Sequence, residues 1–179
     1  HKIISTDVLI EDGKIRKIEK NLPRPEGTSS IIDAKSNYLS PGFIDMHVHG
    51  GGNAHFGDGT DGAFRTVCAT HLKYGTTSML CTLTSSSRDE VRRSVKVFNK
   101  HKEKEDTLEG FPNLLGIHIE GPYFSPAERG AQNAAQLRLP DPDEYMEILD
   151  ESPYIRKWSA ACELPGALEF ARDITKRNV

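Results

Sequence analysis

The sequence predicts an α/β protein with a parallel sheet, and three observations carry that prediction. Between residues 43 and 178, short β-branched and apolar runs alternate four times with helical patterns. The junctions carry turn and stop residues, among them Gly75, Pro112, Gly121-Pro122 and Pro165. Polar residues that suit catalysis or metal binding sit at the ends of the apolar runs, which is where such folds place their chemistry.

The first 40 residues read differently. Val8-Leu9-Ile10 and Ile15–Ile18 flank Asp12-Gly13, the signature of a β-hairpin. Residues 21–30 are rich in Pro, Gly and Ser and form a loop, and residues 31–33 and 38–39 suggest two more short strands. Residues 1–40 are therefore expected to be part of a small β module, and residues 41–179 the α/β domain.

Residues 43–49 make the first strand of that domain. A helix follows over 61–74, with Phe64, Val67, Cys68 and Leu72 on one side and Gly75 as its stop. The stretch 76–84, T-T-S-M-L-C-T-L-T, is a second strand. Ser87-Arg88-Asp89-Glu90 is a capping box opening a helix that carries Val91, Val95 and Phe98. Residues 114–119 make the third strand. Asp141-Pro142-Asp143-Glu144 combines an Asp N-cap with proline at the first helical position. A fourth strand over 155–162 and a fourth helix over 165–178 complete the pattern. Four βα units in a row accept two architectures, an open doubly wound sheet or part of a (β/α)8 barrel. A whole barrel needs roughly 200 or more residues, so the 179-residue chain has room for about half of one.

Bulk properties exclude some functions. A net charge of −3 and a pI near 6.2 give no footprint for nucleic acid or an anionic membrane. No apolar run approaches the ~18 residues of a membrane span. Cys68, Cys81 and Cys162 contain no C-x-x-C pair, so a zinc ribbon or redox motif is unsupported, and buried free thiols in a reducing cytoplasm are expected.

The chemistry-bearing residues lie at strand ends. His47 and His49 are two apart on the first strand and so share a face. Glu120 ends the third strand just before Gly121-Pro122, a costly place for a carboxylate unless it is paired or bound to a metal. Together the three form a His₂Glu set, a ligand combination known for catalytic zinc. His118 either lines the same site or is a hydrogen-bonded core residue. His55 is a weaker candidate for substrate contact, and His71 and His101 are expected on the surface. The run Gly50-Gly51-Gly52 lacks any phosphate-loop pattern and is read as permitting close approach of the backbone to a ligand or metal.

P-G-F-I-D-M-H-V-H-G, residues 41–50, resembles the first metal-binding strand of the amidohydrolase superfamily, metal-dependent (β/α)8 TIM barrels with a flanking β-sandwich. G-I-H-I-E-G-P-Y-F-S-P-A-E-R-G-A-Q-N-A-A-Q-L-R, residues 116–138, is similar to a block of the N-acetylglucosamine-6-phosphate deacetylases. A-C-E-L-P-G-A-L-E-F, residues 161–170, is similar to the next block of that family. The resemblance implies a partial barrel of about the first four βα units, preceded by strands of a small β-sandwich. It implies Glu120 as the principal ligand of a divalent metal, zinc or else iron or another divalent ion, with His47 and His49 at a second metal position. Ala131, Gln132 and Asn133 would approach the amino-sugar phosphate substrate; Gln132 stands where many members carry histidine, and it cannot become cationic.

The family's remaining metal-binding histidines and its general-base aspartate are expected beyond Val179. No catalytic residue is therefore expected in this chain, which is read as an inactive fragment of a deacetylase that forms a homo-oligomer at full length. Two other readings are kept: a dihydroorotase-like or hydantoinase-like cyclic amidase, and a non-catalytic scaffold.

Overall fold

The computed structural model describes residues 3–28, 30–104 and 110–179. The chain divides into two compact units, His1–Pro41 and Gly42–Val179.

In the first unit, β1 (Asp7–Glu11) and β2 (Lys14–Glu19) form an antiparallel hairpin. Its two-residue turn places Asp12 at φ 49° and Gly13 at φ 69°, the left-handed pair that matches strand twist. Asp7 Oδ2 accepts a hydrogen bond from the Leu22 amide at 3.0 Å and secures the chain leaving β2. Residues 31–33 and 38–39, expected as strands, are not strands. Turn chemistry wins there: the Asp33 carboxylate accepts from the Lys35 amide at 2.8 Å, and Lys35 and Ser36 both adopt positive φ.

The second unit carries the predicted alternation. Its elements are β3 (Phe43–Val48), a small hairpin of β4 (Gly50–Gly51) and β5 (Ala54–His55), α1 (Asp61–Lys73), β6 (Thr76–Leu83), α2 (Arg88–Lys102), β7 (Asn113–Glu120), α3 (Pro142–Glu151), β8 (Ile155–Ser159) and α4 (Ala167–Lys176). The main sheet has the order β3-β6-β7-β8, with every neighbouring pair parallel. Each strand thus lies beside its predecessor, and β3 and β8 are the two edges. Among the described residues no helix is long and apolar enough to cross a membrane.

Local signals set the helix starts. Ser87 accepts from the Glu90 amide while the Glu90 carboxylate accepts from the Ser87 amide, a complete capping box. Asp141 caps α3 by accepting from the Asp143 amide at 3.0 Å. The apolar faces of these helices then close over the sheet. Val91, Val95 and Phe98 of α2 are buried, with the Phe98 ring 6.1 Å from Phe64 of α1. Arg92 of α2 reaches Glu147 and Glu151 of α3, at 2.9 and 2.5 Å, across the helix pair.

Four further expectations fail. His101 is buried at 2% exposure rather than on the surface, stacked 4.4 Å from Phe64. The charged residues around it hid the fact that it continues the Ser94–Phe98 face of α2. His71 is half-buried, with its Nε2 3.0 Å from the Gly50 carbonyl oxygen. Cys68 and Cys81 are buried but Cys162 is exposed. β8 ends at Ser159, short of the expected 162, because the Ala161 amide turns away to donate to the Tyr123 carbonyl at 2.8 Å.

Two substitutions on α2 should separate packing from capping. Phe98→Ala, which empties a buried ring site, should cost about 3–5 kcal/mol. Ser87→Ala, which removes the cap, should cost about 1 kcal/mol. Urea denaturation of both variants checks this, and a reversed order would contradict the packing described.

Candidate metal centre

β3 delivers its histidines through strand alternation. The His47 amide donates to Asp45 Oδ1 at 3.0 Å, and the Val48 amide donates to Thr82 Oγ1 of β6 at 3.1 Å, which fixes the strand end. Beyond His49 the chain enters the β4–β5 hairpin, where Gly52 and Asn53 adopt φ of 63° and 62°. A side chain at Gly51 would press on His71 and Thr70 of α1, and one at Gly52 on Thr70. The glycines therefore let the hairpin lie against α1. The close approach seen in the structure is to α1.

β7 delivers Glu120. The next residue, Gly121, sits at φ +86°, and a Cβ there would run into Ser85 and the Phe124 ring. The Gly121 amide donates to the Ser159 carbonyl at 3.0 Å, and its own carbonyl accepts from Trp158 Nε1 at 2.8 Å. Both bonds tie the end of β7 to β8.

The three side chains meet at the carboxyl end of the sheet. His47 Nε2 lies 2.9 Å from His49 Nε2, His47 Nε2 lies 3.4 Å from Glu120 Oε1, and His49 Nε2 lies 3.1 Å from Glu120 Oε2. Ligand atoms around a tetrahedral ion with bonds of ~2.1 Å stand roughly 3.4 Å apart. Two imidazole nitrogens and a carboxylate at nearly those separations are a donor set that fits a divalent cation, and the group could hold one. Burial lowers the pKa of His49 below the ordinary value, against the attraction of Glu120, and the neighbouring His47 lowers it further. The neutral imidazole that a metal requires is thus the favoured form.

His118 lies behind this cluster. It is fully buried, and its ring stands 5.0 Å from that of His47 in an edge-on arrangement. His118 Nδ1 is 3.3 Å from Thr82 Oγ1, and its Nε2 is 2.8 Å from Ser159 Oγ. Hydrogen bonds thereby run from the Val48 amide through Thr82 and His118 to Ser159, crossing all four strands. Of the two alternatives for His118, hydrogen-bonded core residue describes its contacts. Burial, Lys157, His47 and His49 together push its pKa down to about 4.

Of the three loop residues expected near the amino sugar, Gln132 reaches the cluster. Its Nε2 donates to Glu120 Oε2 at 3.0 Å, and its Oε1 accepts from the Ser85 amide at 3.0 Å. Ala131 and Asn133 are exposed, and Asn133 caps the short turn Ala134–Gln136 by accepting from the Ala135 amide. His55 is exposed, its amide bonded to Asp58. Sequence reasoning missed Thr82, Ser159 and Ser85. Their only signal was polarity at the ends of apolar strands, and it acquires meaning through the register that pairs Thr82 with His118 and Ser159 with Glu120.

Fold and site together define an α/β protein whose parallel sheet gathers a candidate metal centre at its carboxyl end. The chain belongs to the amidohydrolase family, whose model matches residues 38–157. It is 34% identical over 155 residues to an N-acetylglucosamine-6-phosphate deacetylase from Lysinibacillus sphaericus, covering 86% of this chain and 36% of that protein. A human N-acetylglucosamine-6-phosphate deacetylase is 28% identical over 188 residues, 99% of this chain and 44% of the relative. Among solved structures, the N-acetylglucosamine-6-phosphate deacetylase of Pasteurella multocida superposes with a TM-score of 0.83 at 28% identity, over 99% of this chain and 45% of its own. The chain thus spans less than half the length of these relatives.

The burial of His118 sets a pH dependence. The folded state keeps this imidazole neutral down to about pH 4, whereas the unfolded chain protonates it near 6.5. Its contribution is therefore complete above pH 6.5 and declines as pH falls toward 4. Between pH 6.5 and 4.5 the metal-free chain should lose about 2–3 kcal/mol more stability than His118→Gln. Urea titrations across that range check it, and parallel losses in the two proteins would contradict it.

Proposed function

We propose that this chain belongs to a metal-dependent deacetylase that hydrolyses the acetamide of N-acetylglucosamine 6-phosphate to glucosamine 6-phosphate and acetate. The observation that carries the reading is the triangle of His47, His49 and Glu120 at the strand ends. The names of the relatives supply the substrate class. In this reading residues 41–179 form about the first four βα units of a (β/α)8 barrel, and residues 1–40 contribute strands of a small β-sandwich. The full-length enzyme is a homo-oligomer of the cytoplasm.

His47 and His49 hold the cation, zinc by the character of the donor set, through neutral nitrogens, and Glu120 contributes the anionic ligand. A divalent ion at such a position activates water and polarises an amide carbonyl. Glu120, with its carboxylate engaged by Gln132 and both histidines, serves as a ligand. The aspartate that moves the proton to the leaving amine is assigned, by the resemblance, to a later barrel strand. Gln132 and the neighbouring Ala131 and Asn133 face the sugar. A relative from Escherichia coli O157:H7, an N-acetylgalactosamine-6-phosphate deacetylase 28% identical over 95% of this chain, makes the epimer at C4 the proper comparison substrate.

The test is acetate release by a protein of the relatives' length that contains this segment. Chelator-sensitive release from N-acetylglucosamine 6-phosphate, exceeding that from the galactose epimer, is the expected result. Glu120→Gln should lower the rate about 100-fold or more. The 179-residue chain alone should release none. Chelator-resistant activity, or full activity in Glu120→Gln, would overturn the reading.

A further inference from the structure

Gln132 is bonded on both ends of its amide, and the chemistry of its partners fixes which end is which. The Ser85 backbone amide can only donate, so the atom 3.0 Å away must be the Gln132 carbonyl oxygen. The –NH₂ group is therefore directed at Glu120, whose Oε2 accepts at 3.0 Å. The Gln132 backbone is held as well: its amide donates to the Arg129 carbonyl at 3.1 Å, and its carbonyl accepts from the Arg129 guanidinium at 2.8 Å. Ser85 itself lies in the connection between β6 and α2. A hydrogen-bonded link thus runs from the end of β6 through Gln132 to the carboxylate at the end of β7.

From this we infer that Gln132 is a positioning residue for Glu120. It occupies one carboxylate oxygen, sets the rotation of the group, and leaves Oε1 directed toward His47, 3.4 Å away. As a neutral donor it does so without adding a cation beside the ion. The inference rests on the proposed metal centre and adds to the substrate-side role expected for this loop. Partners of this kind orient a ligand before the ion arrives, and losing one typically weakens metal affinity about 10–100-fold.

The experiment uses the 179-residue chain with Co²⁺ as a spectroscopic probe, compared between the unaltered protein, Gln132→Met and His47→Ala. Side-chain NMR of the metal-free forms follows the Glu120 Cδ resonance and the Gln132 –NH₂ pair. Gln132→Met should weaken Co²⁺ about 10–100-fold, alter its visible bands, and shift Glu120 Cδ before any metal is added. In the unaltered chain one Gln132 –NH₂ proton should be displaced downfield, a signature that survives even if Gln132→Met fails to fold. His47→Ala should weaken Co²⁺ while leaving that –NH₂ signal in place. If the unaltered chain binds no Co²⁺, His47, His49 and Glu120 do not by themselves suffice to hold the ion, and the metal-free Glu120 and Gln132 signals still decide the positioning role. An unmoved Glu120 resonance in folded Gln132→Met, or an –NH₂ pair at ordinary free-amide shifts, would overturn it.

Discussion

The parallel register of β3, β6, β7 and β8 is the constraint on which the site depends, because it brings four strand ends to one level of the sheet. Hydrogen bonds at that level reinforce it. Thr82 accepts from the Val48 amide, His118 lies between Thr82 and Ser159, and the Gly121 amide donates to the Ser159 carbonyl. A buried polar group without a partner would cost about 1–3 kcal/mol. Each of these groups finds its partner on the neighbouring strand, so slipping the register would leave several unpaired at once.

On that platform the His47–His49–Glu120 cluster combines two opposing demands. Burial disfavours charge on His49, and so does His47, whose Nε2 stands 2.9 Å from the Nε2 of His49. Glu120 pulls the other way. The balance lowers the pKa of His49 and so favours its neutral imidazole, the form a divalent cation requires.

Around the site, loops are held by polar side chains in place of regular structure. Arg138 donates to the Ser86 carbonyl at 3.0 Å and pairs with the buried Glu144 of α3. Tyr123 donates to the same Glu144 at 3.2 Å. The long connection from β7 to α3, which carries Gln132, is thereby fastened to the β6–α2 turn at two places, Ser85 and Ser86. The geometry of the cluster is inherited from these ties as much as from the strands.

Much of this could be read from the chain itself. The four strand–helix alternations, the capping box at Ser87, the Asp141 cap and the Asp12-Gly13 hairpin are decided by neighbours within a few residues, so the sequence by itself determined them. It also determined that His47 and His49 share a face, since strand alternation is a local rule. Tertiary structure decided what depends on residues distant in the chain. Burial of His101 required Phe64 of another helix, and the setting of His118 required strands on both sides. Failure of residues 31–33 and 38–39 to become strands shows the converse, because a strand needs a partner to pair with and local turn bonds were available instead. Gln132 could be singled out by the resemblance of residues 116–138 to a family block, but not its bond to Glu120, because loop conformation fixes a side chain's target only when the segments that flank it are already in place.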